Sequence, residues 1–445
     1  MRQRSRGRVA LAAVAAMCAV AALPGPAYAD GEAAAYTFDP GAKAVTGTEV
    51  NTDAAELEAG SVYRSKIKAG QKLYYRLNLD ATTNAYVSAV AVPEGGGKVA
   101  YGDGITVSVR DSSDLRCSSE DAHFESAEYP RPIAAYAYRV VEKDSSTCQG
   151  PGTYNVLVER ESKATSGPED WDLELRYASE PQLADDAAMP TGAPENWPST
   201  SPAPPTPAGD NRRHGGTAYY DATSLETGEW KDEIVPGQTL FYRVPVDWGQ
   251  QIFATARLGN STTSDEFVGS ALAMSLDNPA QGHVDDVSPL SYSGKPASVS
   301  LDPVPPVAYR NRFDSSSSVS AMRFAGWYYL SVTLSPELEK AYGAKPFPLT
   351  LAVKVRGKAE GSPYAGDAGI FAVTDQDKDL ARSGRSGPQA AESESDTMKL
   401  VGAAGIGAGA VLVLALGVWT LLARRRAAAA QAAGQPPYGG PPQAW

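Results

Sequence analysis

Histidine and cysteine are scarce in this sequence, with three of each among 445 residues. So few imidazole and thiol groups leave little for metal ligation or nucleophilic catalysis. The sequence also lacks a Gly-x-Ser-x-Gly elbow, a His-Glu-x-x-His motif, a Cys-x-x-Cys pair and a phosphate-binding glycine loop followed by lysine. His214 ends a proline-rich stretch, and His123 and His283 lie in polar, loop-like segments, so all three are interpreted as solvated. We therefore predict that the protein is not an enzyme and holds no cofactor or metal.

Basic residues are outnumbered, with 40 Lys and Arg against 52 Asp and Glu and a formal net charge of −12. Seven of the basic residues lie at the two ends, so residues 30–399 hold 33 basic and 52 acidic side chains, a net charge of −19. Nucleic-acid binding relies on concentrated positive charge, so no nucleic-acid partner is expected. The 42% hydrophobic content supports a folded core, while 33 prolines and 42 glycines indicate many turns and linkers.

The first of two long hydrophobic runs begins after four arginines, at Val9, and continues without a charge to Leu23. As a helix it would be about 22 Å long, which is short of a bilayer core. The run is followed by Ala27-Tyr28-Ala29, a sequence that fits cleavage by signal peptidase. Residues 1–29 are therefore predicted to be a secretory signal peptide.

The second run is 24 residues without a charge from Leu400 to Ala423, and as a helix it would be about 36 Å long. This length predicts a transmembrane helix over residues 399–423. Arg424, Arg425 and Arg426 follow it, and the positive-inside rule places them in the cytoplasm. The two hydrophobic runs together predict a single-pass cell-membrane protein of type I, with its amino terminus and ectodomain outside the cell.

Within the predicted span, Gly405 and Gly409 form a small-xxx-small pair that would let two helices approach closely. Glycine is common in such helices, so pairing is one interpretation and a structural role in a single helix is the other. The tail, residues 424–445, ends in PPYGGPPQAW without charge or periodicity and is predicted to be disordered.

Only two cysteines remain after removal of the signal peptide, because Cys18 leaves with it. In an extracellular compartment the remaining pair, Cys117 and Cys148, is most simply a disulfide. A redox or metal role would need closer spacing or further ligands.

The ectodomain sequence repeats itself. Residues 67–80 match residues 234–247 at seven of fourteen positions, and the strand-like block 152–158 matches block 326–332 in the same order. Each block alternates apolar and polar residues with the period of a half-buried antiparallel strand. Several such segments, separated by Gly, Pro, Asn and Asp, predict an all-β ectodomain of two tandem antiparallel β-sandwiches.

Two further segments complete the predicted organisation. The proline-rich stretch between the copies is expected to be an extended spacer that separates them, and the polar stretch after the second copy to be a flexible stalk. The predicted boundaries are a signal peptide at 1–29, a first module at 30–180, a linker at 181–213, a second module at 214–357, a disordered stalk at 358–398, a transmembrane helix at 399–423 and a cytoplasmic tail at 424–445.

The repeated blocks carry a motif, Ile-x-x-Gly-Gln-x-x-x-Tyr-x-(Leu/Val), followed later by Gly-x-Tyr-x-(Val/Leu)-x-Val and a closing alternating strand. This pattern resembles the bacterial pre-peptidase C-terminal domain. The resemblance implies a jelly-roll-like sandwich that has no catalytic residues and often accompanies secreted proteases. No protease domain is present here, and both copies carry insertions, around residues 92–138 and 259–313. As a whole the chain resembles uncharacterised envelope proteins of high-GC Gram-positive bacteria.

Outward-facing residues of the repeated strand form a candidate binding face. Tyr74 and Arg76 in the first copy correspond to Phe241 and Arg243 in the second, which places an aromatic ring beside a guanidinium on equivalent strands. Such pairs bind proteins or glycans. The alternative is that this face packs against another strand, an insertion or the sister module.

Acidic clusters give the only other candidate ligand sites. The stretch Asp375–Asp379 imitates the start of a calcium-binding loop, but Leu380 and Ser386 occupy the positions that require glycine and glutamate. It is interpreted as charge on the stalk. The pairs Asp265-Glu266 and Asp285-Asp286 are expected by chance in so acidic a chain.

Three hypotheses for function follow. The leading one is a scaffold or interaction protein of the cell envelope, whose modules bind another protein of the same membrane or wall. The second is binding of a wall polymer or other carbohydrate through exposed aromatic residues. The third is a hydrolase with a site hidden in the insertions.

Overall fold

The computed structural model describes residues 33–142, 145–184, 192–194, 196–203, 205, 211–261, 263–392 and 416–426. These residues form four β-sheets with few and short helices, which confirms the prediction of an all-β ectodomain.

Ten strands of the described residues belong to the first module and form two five-stranded sheets, in the orders β1-β3-β10-β5-β8 and β2-β4-β9-β6-β7. In each sheet the first strand of the order is parallel to its neighbour, and the last strand is antiparallel to its neighbour. The strands are β1 (Lys43–Ala44), β2 (Ala55–Glu56), β3 (Val62–Ile67), β4 (Lys72–Leu79), β5 (Asn84–Val92), β6 (Gly104–Arg110), β7 (Arg116–His123), β8 (Ile133–Arg139), β9 (Gly152–Glu161) and β10 (Trp171–Glu180), with a 3-10 turn at Asn51–Asp53.

The second module, over its described residues, forms a sheet β11-β13-β19-β15-β16, with β17 also on β15, and a sheet β12-β20-β14-β18. Its strands are β11 (Thr223–Ser224), β12 (Gly228–Ile234), β13 (Thr239–Val246), β14 (Gln251–Leu258), β15 (Val268–Asp277), β16 (His283–Asp286), β17 (Leu290–Tyr292), β18 (Ala297–Ser300), β19 (Gly326–Leu334) and β20 (Phe347–Arg356). Its helical segments are a 3-10 turn at Tyr309–Phe313, α1 (Ser317–Ser320) and α2 (Glu337–Tyr342).

The alternation in the repeated strand predicts the buried face correctly. Leu73, Tyr75, Leu77 and Leu79 of β4 are buried in a core that both sheets of the first module share. The second module has an equivalent core, to which β13 contributes the matching side chains. These are Leu240, Tyr242, Val244 and Val246.

The Gly-Gln pair of the repeated motif forms and closes a tight turn. Gly70 and Gly237 have φ angles of +70° and +82°, a left-handed conformation that glycine adopts without a steric penalty. The next residue closes the turn, because the side-chain Oε1 of Gln71 accepts a hydrogen bond of 3.0 Å from the backbone of Lys68. Gln238 repeats this contact at 3.0 Å in the second module. The motif therefore has a structural role in both copies.

A disulfide joins Cys117 and Cys148, as predicted. It ties the edge strand β7 to the loop that precedes β9, and Cys148 is part of the core of the first module. The side chain of Arg139 fixes the same loop by donating to the carbonyl of Cys148 over 2.8 Å.

Replacing both cysteines by serine is expected to destabilise the protein by about 3 kcal/mol, because the unfolded chain regains the entropy of an open loop of roughly 30 residues. The measurement is urea unfolding of the full-length protein in detergent, with wild-type protein in reductant as the matched control. An unchanged midpoint in both samples would contradict the prediction.

The two modules are stacked on each other, and this overturns the expectation of a spacer that separates them. Strand β5 is buried on both faces, and its outward Val90 packs with Tyr219, Phe241 and Tyr329 of the second module. The hydroxyl of Ser88 on the same strand donates to the side chain of Gln281 over 2.8 Å. The outer face of one sheet of the first module thus covers the outer face of the β13-β19-β15 sheet.

A buried ion pair crosses the interface between the modules. Arg312 donates to Glu180 over 2.6 Å, and the two side chains are 2% and 1% exposed. Glu180 also accepts hydrogen bonds from Tyr86 at 3.0 Å, Asn84 at 2.8 Å and Tyr364 at 2.6 Å. Burial alone would raise the pKa of Glu180, but the attraction of Arg312 and these donors hold it below its ordinary value. Both charges of the pair are therefore hydrogen-bonded, as buried charges require.

Residues 358–392 are folded against the modules, so the prediction of a disordered stalk is wrong for this range. Helix α3 (Asp375–Ser383) begins with a capping box formed by Thr374 and Asp377. Phe371 is 1% exposed, with its ring centroid 4.5 Å from that of Phe324, and Tyr364 reaches the buried ion pair. A few scattered apolar side chains anchor a segment whose average composition is polar.

The predicted signal peptide (1–29), Gly405 and Gly409 lie outside the described residues, as does most of the predicted membrane span. Residues 416–426 are helical and include Arg424, Arg425 and Arg426. Among the residues that the structure describes, no helix is long and apolar enough to cross a membrane.

Candidate functional site

The structure divides the predicted binding face into a buried half and an open half. In the second module, Phe241 is 1% exposed and packs against Tyr219 and Tyr36, with ring centroids 5.0 Å and 5.9 Å apart. Tyr36 belongs to the segment before β1, and this segment contacts both modules. The hydroxyl of Tyr36 donates to Glu174 of the first module over 3.1 Å. Phe241 is therefore part of the interface between the modules and not an exposed binding residue.

Arg243 is buried as well. Its guanidinium lies 4.1 Å from the ring centroid of Trp327, and its Nε donates to Ser224 over 2.9 Å. The Nε1 of Trp327 in turn donates to Asp377 over 2.8 Å, so this cation–π pair holds helix α3 on the module. Burial lowers the pKa of Arg243.

Tyr74 and Arg76 of the first module remain half-exposed on strand β4. Arg76 forms an ion pair of 3.3 Å with Glu56, and Lys72 pairs with Glu159 on the neighbouring strand β9. This polar surface is called the open face below. Its counterpart in the second module is the face that the first module covers.

The aligned sequences contained a signal for this difference. On the outer face of β9, Thr153 and Asn155 are polar, whereas the matching residues of β19 are Trp327 and Tyr329. Aromatic residues at these outward positions of the second copy alone indicate that its β13-β19 sheet has a second buried face, whereas the equivalent sheet of the first copy does not. Comparison of the outward positions of the two blocks would have indicated a covered face, but not what covers it.

A cavity of about 270 Å³ is lined by residues of both modules. We call it the intermodule cleft. The first module contributes the end of β7 and the loop to β8, and the second contributes β15, β16 and β19. Its lining includes Asp121, His123, Glu125, Arg131, Pro132, Ile133, Tyr219, Ser275, Asp277, His283, Asp286, Val287, Pro289, Ser331 and Thr333.

His283 and two aspartates form the charged centre of the cleft. The Nε2 of His283 lies 3.2 Å from Asp286, and its Nδ1 lies 3.7 Å from Asp277. Asp277 is 3% exposed and accepts a hydrogen bond of 2.8 Å from the hydroxyl of Tyr219. The side chain of His283 is 39% exposed, so it is solvated as interpreted, but it stands on strand β16 and not in a loop, and folding places it between two carboxylates.

These contacts change the ionisation of the cleft. Burial disfavours the charged imidazolium, but the hydrogen bonds and attraction of Asp277 and Asp286 outweigh it and raise the pKa of His283 to about 10. Burial, assisted by Asp277, also raises the pKa of Tyr219 well above its ordinary value. At neutral pH the cleft thus contains an imidazolium and a neutral phenol.

The first module supplies a second histidine and an arginine. The Nδ1 of His123 lies 3.0 Å from Asp121. Arg131 donates to the carbonyls of Ala127 and Phe124 over 2.6 Å and 3.2 Å, and burial lowers its pKa. The fold therefore brings two of the three histidines of the sequence to one cleft, from modules that are far apart in the chain.

Within the described residues there is no group of three or more His, Cys, Asp or Glu side chains that could hold a metal ion. Asp375–Asp379 is helical and helps to start α3. Asp286 pairs with His283, and Asp285 accepts a backbone hydrogen bond of 3.0 Å from Asp302.

We expect the imidazole of His283 to remain protonated at pH 8, whereas an unfolded histidine titrates near 6.5. Because the folded pKa is raised, its stabilising contribution is complete below pH 6.5 and is lost as the pH rises towards 10. The histidine ring signals of the protein in NMR spectra between pH 6 and 9 test this, with His283→Asn to assign the signal. A His283 midpoint near 6.5 would contradict it.

Comparison with known proteins gives no family assignment. No family model and no curated protein matches this sequence, so the resemblance to the pre-peptidase C-terminal domain stays a prediction. Among solved structures, the chain is similar to a secreted protein of Parabacteroides distasonis, with a TM-score of 0.17, 8% identity and coverage of 67% of this chain and 89% of the other.

The extracellular domain of ANXUR1 from Arabidopsis thaliana gives a TM-score of 0.19 at 9% identity, covering 67% of this chain and 86% of the other. The tandem CBM22 domains of Xyn10C from Paenibacillus barcinonensis give 0.18 at 9% identity, covering 68% and 92%. Likenesses at these scores carry no assignment of family or function.

Proposed function

We propose that this protein is a non-enzymatic, single-pass protein of the cell envelope whose two extracellular modules bind another protein of the same membrane or wall. The predicted signal peptide at 1–29, the predicted span at 399–423 and the arginines at 424–426 support this topology. The disulfide is consistent with an oxidising compartment outside the cytoplasm.

The observation that carries the proposal is the stacking of the modules into one body through the buried Glu180–Arg312 pair and an aromatic interface. A partner that binds a body of fixed geometry does not have to order two tethered domains, and this lowers the entropic cost of association. Such an arrangement suits a scaffold that presents a surface.

The open face is the surface that we assign to the partner. Tyr74 and Arg76 are half-exposed there, and tyrosine and arginine are the residues that contribute most often to binding energy at protein interfaces. Hydrogen bonding along the sheet holds β4 between β2 and β9, so these side chains stand on a fixed strand. The alternative, glycan binding, relied on two exposed aromatic residues, Tyr74 and Phe241. Phe241 is buried and cannot contact a glycan.

The test is affinity purification of the tagged full-length protein from cross-linked envelopes of its own host, read by mass spectrometry against a span-only chain. We expect one reproducible protein partner, whose recovery falls at least about tenfold in the double variant Tyr74→Ala, Arg76→Ala. The matched control is Tyr101→Ala, Arg116→Ala, which removes the same residue types from other exposed positions of the first module.

If the open-face variant recovered as much of the partner as wild type does, the partner would bind at a different surface. Absence of any protein beyond the span-only sample would overturn the proposed function itself.

A further inference from the structure

We propose that the intermodule cleft binds one neutral sugar ring, either free or at the end of a polysaccharide. The cleft is separate from the open face, so this inference goes beyond the proposed protein partner and either can fail alone. It rests on the shape of the cleft, on its internal charge pairing and on its spare hydrogen-bonding groups.

The cleft has the size and position of a small-ligand site. Its volume of about 270 Å³ lies near the lower end of the range for ligand pockets, which suits one ring and not an extended chain. Both modules build its walls, and the buried Glu180–Arg312 pair fixes their relative position. Pockets at the junction of two domains are common ligand sites for this reason.

Most charged groups of the cleft already have partners. His283 contacts Asp286 and Asp277, His123 contacts Asp121, and Arg131 donates to two backbone carbonyls. An ionic ligand that paired with any of these groups would have to compete with the existing contact. A neutral ligand can use the remaining hydrogen-bonding capacity without breaking an ion pair.

Hydroxyl groups supply that capacity. The hydroxyls of Ser275 and Ser331 are 2.7 Å apart, and those of Thr333 and Thr239 are 2.9 Å apart. Each pair uses one donor and one acceptor, so one O–H donor and several lone pairs of each pair stay unused within it. Sugar hydroxyls both donate and accept, and so they complement such groups.

A carboxylate and several apolar side chains of the cleft also complement a sugar ring. One oxygen of Asp277 accepts the hydroxyl of Tyr219 and the other lies 3.7 Å from His283, so the carboxylate is held in place and keeps only the lone pairs that neither partner uses. The cleft lining also includes Pro132, Ile133 and Val287. A sugar ring combines a rim of hydroxyls with apolar C–H faces, and a lining of mixed polarity can contact both.

The test is isothermal calorimetry of the purified full-length protein in a detergent without a sugar headgroup. The probes are glucose, galactose, mannose and N-acetylglucosamine, and in a second arm fragments of the host's wall polysaccharide. Glucosamine and glucuronate are added as charged counterparts. We expect saturable binding of at least one neutral sugar, with weaker binding of both charged ones.

The variant Ser275→Ala, Ser331→Ala is expected to weaken binding by about tenfold, the loss of one or two hydrogen bonds. The control Ser300→Ala removes a hydroxyl from a similar pair with Thr255, 2.8 Å apart, that lies outside the cleft, and should leave affinity unchanged. Thermal unfolding of both variants verifies that they are folded.

Binding in the first arm identifies a free sugar, and binding in the second arm alone identifies a polymer end; both support the site. Absence of binding in both arms, equal affinity in the double serine variant, or tighter binding of a charged sugar would each overturn the proposal.

Discussion

Replacing Arg312 by alanine is expected to destabilise the protein by about 3 to 5 kcal/mol, because Glu180 would remain buried as a charge without its cation. The loss should also uncouple the modules, since the pair lies at their interface. Urea unfolding of the full-length protein in detergent would then show two separate transitions in place of one cooperative transition.

The matched control is Lys340→Ala, which removes an ion pair with Glu337 whose partners are 75% and 58% exposed. Surface pairs of this kind contribute little, so its unfolding curve should stay within about 0.5 kcal/mol of wild type. The double variant Glu180→Gln, Arg312→Met should recover part of the loss, because no unpaired charge remains. An Arg312→Ala variant as stable as the control would show that the pair does not hold the modules together.

Phe371→Ala is expected to cost about 3 to 5 kcal/mol, as is usual for removal of a buried aromatic ring. The ring centroid of Phe371 lies 4.5 Å from that of Phe324 and 6.2 Å from that of Tyr86, which belongs to the first module. If residues 358–392 formed a flexible stalk, the same substitution would cost nothing. Thermal and urea unfolding therefore distinguish the two descriptions directly.

Phe267→Ala is the matched control, because Phe267 is 70% exposed and the chemical change is identical. Its expected effect is within about 0.5 kcal/mol of wild type. Limited proteolysis gives a second measurement: the Phe371→Ala variant should be cleaved within residues 358–392 faster than wild type. Equal protection of both variants would mean that Phe371 does not anchor the segment.

Local pattern was sufficient for the strands and their inward faces. Leu73 and Tyr75 are buried because a strand alternates its side chains, and this period can be read from a few consecutive residues. The Gly-Gln turn is local as well, since Gln71 closes it within four residues. The Cys117–Cys148 disulfide followed from counting, because the two cysteines outside the predicted signal peptide allow only one intramolecular bond.

The environment of the outward positions depended on residues far away in the chain. Tyr74 and Phe241 occupy equivalent places on equivalent strands, yet only Phe241 is covered, because the first module packs on the second. Periodicity shows which side chains share a face, and it contains no information about what lies opposite that face. The stacking therefore required the tertiary structure, although Trp327 and Tyr329 hinted at it.

The cleft and the folded C-terminal segment also depend on contacts between residues that are far apart in the chain. His123 and His283 line the same cleft only because the two modules stack, and no spacing in the sequence encodes that stacking. Residues 358–392 are polar on average, and their few anchors, such as Tyr364 and Phe371, enter grooves formed by other strands. Local periodicity and counting were enough to predict the strands, the repeat and the disulfide. Which surfaces are buried and where charged groups meet depends on contacts between distant segments, and these contacts exist only in the folded protein.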